Sequence, residues 1–145
     1  MNRHARIDER LGEVPLFEGL SKKQLGRASS LTSRLDAPAG VDLLREGKRG
    51  DEFIIVLEGE AEVRQGGRLV ATRGTGDYVG EMALVTNRPR SATVRTTTPV
   101  LVDVMSRREF MTLLADFPDI ADRIHTTITQ RLDELAKTRT AAATP

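Results

Sequence analysis

Hydrophobic positions along the chain change their spacing twice, dividing it into a helical opening, a strand-rich middle and a helical end. In the opening, Ile7 and Leu11 stand at i and i+4 in a charged stretch before Val14, which predicts a short helix. Ser21 is suited to cap a second helix running to about Ser30, with Leu25 and Ala28 among its apolar positions. Over residues 31–105 the texture becomes short apolar runs broken by glycine. Phe53-Ile54-Ile55-Val56-Leu57 is a continuous run that predicts a buried strand. Ala61-Glu62-Val63 alternates, Gly66-Gly67 marks a hairpin turn, and residues 68–72 form the return strand. Residues 92–97 and 100–105 read as two more strands, with Val100, Val102 and Val104 sharing one face. Many short strands at this spacing predict a small antiparallel barrel or jelly roll.

The last third returns to helical period. Ser106 is placed to cap a helix from Arg107 to about Asp116, and Pro118 ends that helix and opens the next. Ile120, Ile124, Ile128 and Leu132, with Leu135, form an apolar stripe at helical spacing. Such a stripe needs cover, either from the barrel or from a second copy of the chain in a homodimer through this helix. Residues from Thr138 onward are rich in Ala and Thr without periodicity and read as a frayed tail. The expected organisation is therefore one domain over residues 1–138 and a disordered tail over 139–145, in an α+β fold with helices at both ends of a small antiparallel jelly roll.

Composition narrows the chemistry. With 145 residues, 39% hydrophobic, the chain can bury one core but not two. One Tyr and no Trp leave that core mostly aliphatic. A net charge of +1 gives no bias toward nucleic acid, and no helix-turn-helix pattern follows the last helix. The absence of Cys excludes disulfides, thiolate catalysis and cysteine metal sites, and two isolated histidines, His4 and His125, do not make a metal site. No apolar run approaches the roughly 20 residues of a membrane helix, and the N-terminus lacks the apolar core of a secretory signal. A soluble cytoplasmic protein without catalysis, metal or cofactor is the expectation.

One stretch carries more chemistry than the rest: Gly80-Glu81-Met82-Ala83-Leu84, a short spacer, then Pro89-Arg90-Ser91-Ala92-Thr93-Val94. Gly80 permits close backbone approach, and the following residues favour a helix that Pro89 and its preceding turn residues keep to about one turn. Exposed amides at the start of such a turn favour an anion. Arg90 adds a planar fork of donors suited to a phosphate, whereas Glu81 is an acceptor suited to sugar hydroxyls. Sugar and phosphate side by side point to a nucleotide.

These residues resemble the phosphate-binding cassette of cyclic nucleotide-binding domains, such as those of catabolite activator protein, kinase regulatory subunits and nucleotide-gated channels. The resemblance extends over about residues 14–135 and includes Pro15-Leu16-Phe17-Glu18-Gly19-Leu20-Ser21, Gly47, Gly50-Asp51 and Glu58-Gly59-Glu60-Ala61. It implies that Arg90 pairs with the cyclic phosphate, that Glu81 accepts from the ribose 2′-hydroxyl, and that Ser91 and Ala92 add a hydroxyl and an amide. It further implies that the last helix acts as a lid and that Arg131 covers the base. The implied ligand-binding set is Gly80, Glu81, Met82, Ala83, Arg90, Ser91, Ala92 and Arg131, and the implied ligand is cAMP, with cGMP as the other candidate. The receiving partner is an unidentified effector protein.

Val79 departs from the pattern by standing where the family often has an aromatic residue, and Ser91 leaves the base preference open. Arg88, Arg95 and Asp51 read as surface and turn residues, and Thr86-Asn87 as a turn. Three rival readings remain: a transcription-regulator remnant, a cupin-like enzyme without the histidines such enzymes need, and a degenerate scaffold that binds a protein and no nucleotide.

Overall fold

A computed structural model describes residues 10–143, with side chains as far as Lys137. Ile7, His4 and residues 144–145 lie outside the described residues, so the first expected helix is seen only at residues 10–12, where Leu11 is buried. The elements that follow are a 3-10 turn (Pro15–Phe17), α1 (Lys22–Ser29), β1 (Ser33–Ala37), β2 (Asp42–Leu44), β3 (Glu52–Glu58), β4 (Ala61–Gln65) and β5 (Arg68–Arg73). Then come β6 (Tyr78–Val79), α2 (Glu81–Thr86), β7 (Thr93–Thr96), β8 (Val100–Ser106), α3 (Arg107–Asp116) and α4 (Pro118–Ala143). The strands form two four-stranded antiparallel sheets, ordered β1-β8-β3-β6 and β2-β7-β4-β5. This is the α+β jelly roll that the strand spacing predicts.

Local signals set the helix starts. The Ser21 hydroxyl accepts from Gln24 N at 3.2 Å while the Gln24 side chain accepts from Ser21 N at 2.9 Å, and Ser106 and Glu109 make the same reciprocal cap for α3. Each cap satisfies two amides that the first helical turn leaves without partners.

The long apolar run of β3 is explained by burial on both faces. Successive side chains point to opposite sides of a strand. Phe53, Ile55 and Leu57 therefore face the helices, together with Leu11, Phe110, Ile120 and Ile124. Ile54 faces the other sheet with Val63, Val94, Val100 and Val102. Phe53 is the pivot of the helical layer, with ring centroids 5.3 Å from Tyr78 and 4.7 Å from Phe110.

The stripe of α4 packs on its own barrel, but with one correction. Ile120, Ile124, Ile128 and Leu135 are buried, whereas Leu132 is 51% exposed. A helix advances about 100° per residue, so each i+4 step overshoots by about 40°, and Leu132 has drifted about 120° from Ile120. Arg131 lies only about 20° from Ile120 on the same geometry, and it turns inward. Helical backbone also continues to Ala143, beyond the Thr138 at which the sequence suggests a tail; Ala is the best helix former and extends an existing helix without a new nucleus.

Among the described residues no helix is long and apolar enough to cross a membrane.

Candidate functional site

Gly80 carries the chain from β6 into α2 at φ 98°, a conformation that favours glycine. A Cβ there would stand 2.5 Å from Glu52 O and 3.1 Å from Arg90 Nη1, so the close approach is made by the protein itself. The six-residue α2 ends at Asn87, whose φ of 55° marks the expected turn. Glu81, its first residue, is buried.

Arg90 is buried too, and its fork is already held. Nη1 donates to Gly80 O at 2.8 Å and Nη2 to Glu52 O at 2.7 Å. Its own backbone ties down the preceding loop, with Arg90 N donating to Lys48 O at 2.9 Å and Gly47 N to Arg90 O at 2.8 Å. These partners are neutral carbonyls, so the guanidinium is oriented without its charge being cancelled. Burial pushes its pKa down from the usual arginine range, against the opposing pull of Glu52, Glu81 and Asp51. The cation is thus partly stripped of water before any anion arrives.

Gly50 is the residue that makes room for it. A Cβ at Gly50 would fall 1.9 Å from Arg90 Nε, a distance that forces the guanidinium aside. Gly50→Ala is expected to leave a folded domain that has lost anion affinity at the cassette; titration of the variant with cyclic nucleotide checks this, and unchanged affinity would show that Arg90 can bind from elsewhere.

From the other side, α4 reaches into the same place. Arg131 Nη1 donates to Glu81 Oε1 at 2.5 Å, and its guanidinium carbon lies 4.9 Å from the Tyr78 ring centroid. Tyr78 donates to Thr127 Oγ1 at 2.6 Å, with burial raising the pKa of its hydroxyl. Three residues beyond Arg131 on α4, Glu134 accepts from Arg73 Nη2 at 3.0 Å. Gly80, Glu81, Met82, Ala83, Arg90, Ser91, Ala92 and Arg131 all line one cavity, so the eight residues singled out in the sequence share a single space. Leu135 of the apolar stripe lines it as well, as do Arg73 and Glu134, which no sequence motif marks. Its volume is about 50 Å³, far below the ~300 Å³ at which small-molecule pockets begin. Arg131, Glu134 and Leu135 of α4 close it from one side.

Asp51 pairs with Arg107 at 3.1 Å, and Arg107 Nη1 also donates to Leu84 O at 3.2 Å, joining α3 to α2. Arg95 pairs with Asp42 on the surface, while Arg88 and His125 are exposed.

A family profile for the cyclic nucleotide-binding domain matches residues 34–117, a span that holds the whole cassette. The chain belongs to that family. The family match ends at Phe117, before α4, so Arg131 stands outside it. Over 130 residues the chain is 38% identical to the cAMP-dependent protein kinase regulatory subunit of Mycosarcoma maydis, covering 83% of this chain and 25% of that protein. It is 34% identical over 118 residues to a cyclic nucleotide-gated potassium channel of Rhizobium etli, covering 81% of this chain and 33% of that one. The chain thus spans about a quarter to a third of the length of these curated relatives. Among solved structures, a cAMP-bound PfPKA-R superposes with a TM-score of 0.81 at 26% identity, over 92% of this chain and 48% of that one. The regulatory subunit of a cAMP-independent protein kinase A from Trypanosoma brucei also gives 0.81, at 25% identity, over 96% and 52%.

Proposed function

We propose that this chain is a cyclic nucleotide sensor whose ligand is cAMP and whose output is a movement of α4 that acts on an effector protein in the cytoplasm, without catalysis. The observation that carries this reading is the Arg131–Glu81 ion pair. Glu81 is the acceptor that the family resemblance reserves for the ribose, yet here the last helix holds it. An incoming ribose and the closed helix therefore compete for one carboxylate. A cavity of about 50 Å³ cannot take a nucleotide until α4 withdraws, so uptake and movement are coupled. Arg131, which packs on the Tyr78 ring while the helix is closed, has a planar cation able to stack on a purine once Glu81 releases it. The ligand shifts the helix only by its difference in affinity for the two positions. Arg90, held between two carbonyls, supplies the phosphate contact. The kinase regulatory subunit and the cAMP-bound neighbour support cAMP as the ligand.

A second reading, a scaffold that binds no nucleotide, is favoured by the small cavity and by the likeness to a kinase subunit described as cAMP-independent. Calorimetric titration with cAMP, cGMP and 2′-deoxy-cAMP separates the two. The sensor takes up cAMP, and Glu81→Ala loses less affinity for the 2′-deoxy ligand than for its parent. Absence of binding by either natural nucleotide leaves the scaffold reading standing; equal losses on the two cAMP forms would show that Glu81 does not read the ribose.

A further inference from the structure

Arg73 ends β5 and lines the same cavity, yet it belongs to no part of the cassette. Its side chain is 13% exposed, Nη2 donates to Glu134 Oε1 at 3.0 Å, and Nη1 makes a long contact to Thr72 O at 3.4 Å. Nε is buried and finds no hydrogen-bond acceptor among the described residues. A buried donor on a cation is costly to leave unmet, and in a well-packed domain it calls for a partner. A residue serving only to pin α4 would not need a guanidinium with a donor aimed at nothing.

Arg131 and Glu134 are neighbours on one face of α4, three residues apart, and with opposite charges they meet Glu81 of α2 and Arg73 of β5. Withdrawal of α4 to admit a nucleotide therefore parts Glu134 from Arg73 as it parts Arg131 from Glu81. With Arg90 assigned to the phosphate and Glu81 to the ribose, the base is the part of the ligand left for Arg73. Both purines offer the N7 acceptor to a single arginine N–H, and guanine adds O6 as an acceptor for the second arm of the fork.

We propose that Arg73 is a ligand-contacting residue of this domain, donating to the N7 edge of the purine of a bound cyclic nucleotide and helping to set base selectivity. The inference rests on the sensor reading. It differs in sign from a role in which the Arg73–Glu134 pair only holds the helix shut. If Arg73 contacts the base, its loss weakens binding, whereas Glu134→Gln, which loosens the pair and keeps the guanidinium, tightens it. If the pair is only a latch, both substitutions open the cavity and both tighten binding.

The full chain and its Arg73→Met and Glu134→Gln variants, titrated with cAMP and with cGMP, decide between them. Arg73→Met is expected to weaken binding about fivefold or more, the scale of a specific arginine–purine contact. The ratio of cAMP to cGMP affinity should change with it, because beside the shared N7 guanine carries an acceptor and adenine a donor. Tighter or unchanged binding by Arg73→Met, or an identical loss on both nucleotides, overturns the contact while the wild-type binding leaves the sensor reading intact. Wild-type protein that takes up neither nucleotide overturns both.

Discussion

Arg90→Ala is expected to lower cyclic nucleotide affinity by about 3 kcal/mol or more, roughly a hundredfold or more, in a domain that still folds. The size follows from two charge-assisted hydrogen bonds, each worth about 1.5–3 kcal/mol. It also follows from preparation: Gly80 O and Glu52 O already orient the fork, and burial has already taken much of its hydration. A phosphate arriving there meets a cation already oriented and partly desolvated in folding, so less of the interaction is spent on ordering. Arg90→Lys keeps a charge but not the fork and should fall between the two. Calorimetry on both variants, with circular dichroism to check the fold, tests this. A folded Arg90→Ala protein with wild-type affinity would remove Arg90 from the site.

The second large effect concerns stability and lies far from the cavity's chemistry. Asp103 on β8 is fully buried, and Arg34, directly opposite on β1, donates to both of its oxygens at 3.0 and 3.2 Å. Arg34→Ala leaves that carboxylate in the interior without its counter-charge, and the expected cost is about 3–5 kcal/mol. Against a total stability of roughly 5–15 kcal/mol for a domain, that is a large share. Replacing both residues by apolar ones of similar volume should recover most of it, because the carboxylate's burial is then no longer required. Urea unfolding measures this as a fall in midpoint at constant slope. A loss below about 1 kcal/mol for Arg34→Ala would mean that another group or water reaches Asp103.

Much of the fold could be read along the chain because its signals are local. The caps at Ser21 and Ser106 depend on residues three apart, and the Gly66-Gly67 hairpin on two adjacent glycines. The β3 run announces burial on both faces by having no polar member between Phe53 and Leu57. The cassette was legible for the same reason: its glycine, acid and arginine lie within eleven residues of chain, Gly80 to Arg90. Leu132 misled because strict i+4 spacing outruns the helix, and the position it vacates belongs to Arg131.

The sequence by itself determined the order of helices and strands, the jelly-roll class and the family, since each rests on short-range periodicity or on a contiguous motif. Only the tertiary structure decided how these groups are occupied. Gly50 proves to be a condition for Arg90, Asp103 finds Arg34, and Arg73 enters a cavity with Glu134, each across a separation that no local pattern marks. Glu81 shows the difference most plainly. Its residue type and place in the motif mark it as an acceptor, but whether that acceptor meets a sugar or an arginine depends on where α4 packs. Periodicity records which face of an element is apolar; the pairing of buried charges is set by the packing of distant elements, because a buried charge must find its partner wherever the fold brings one within reach.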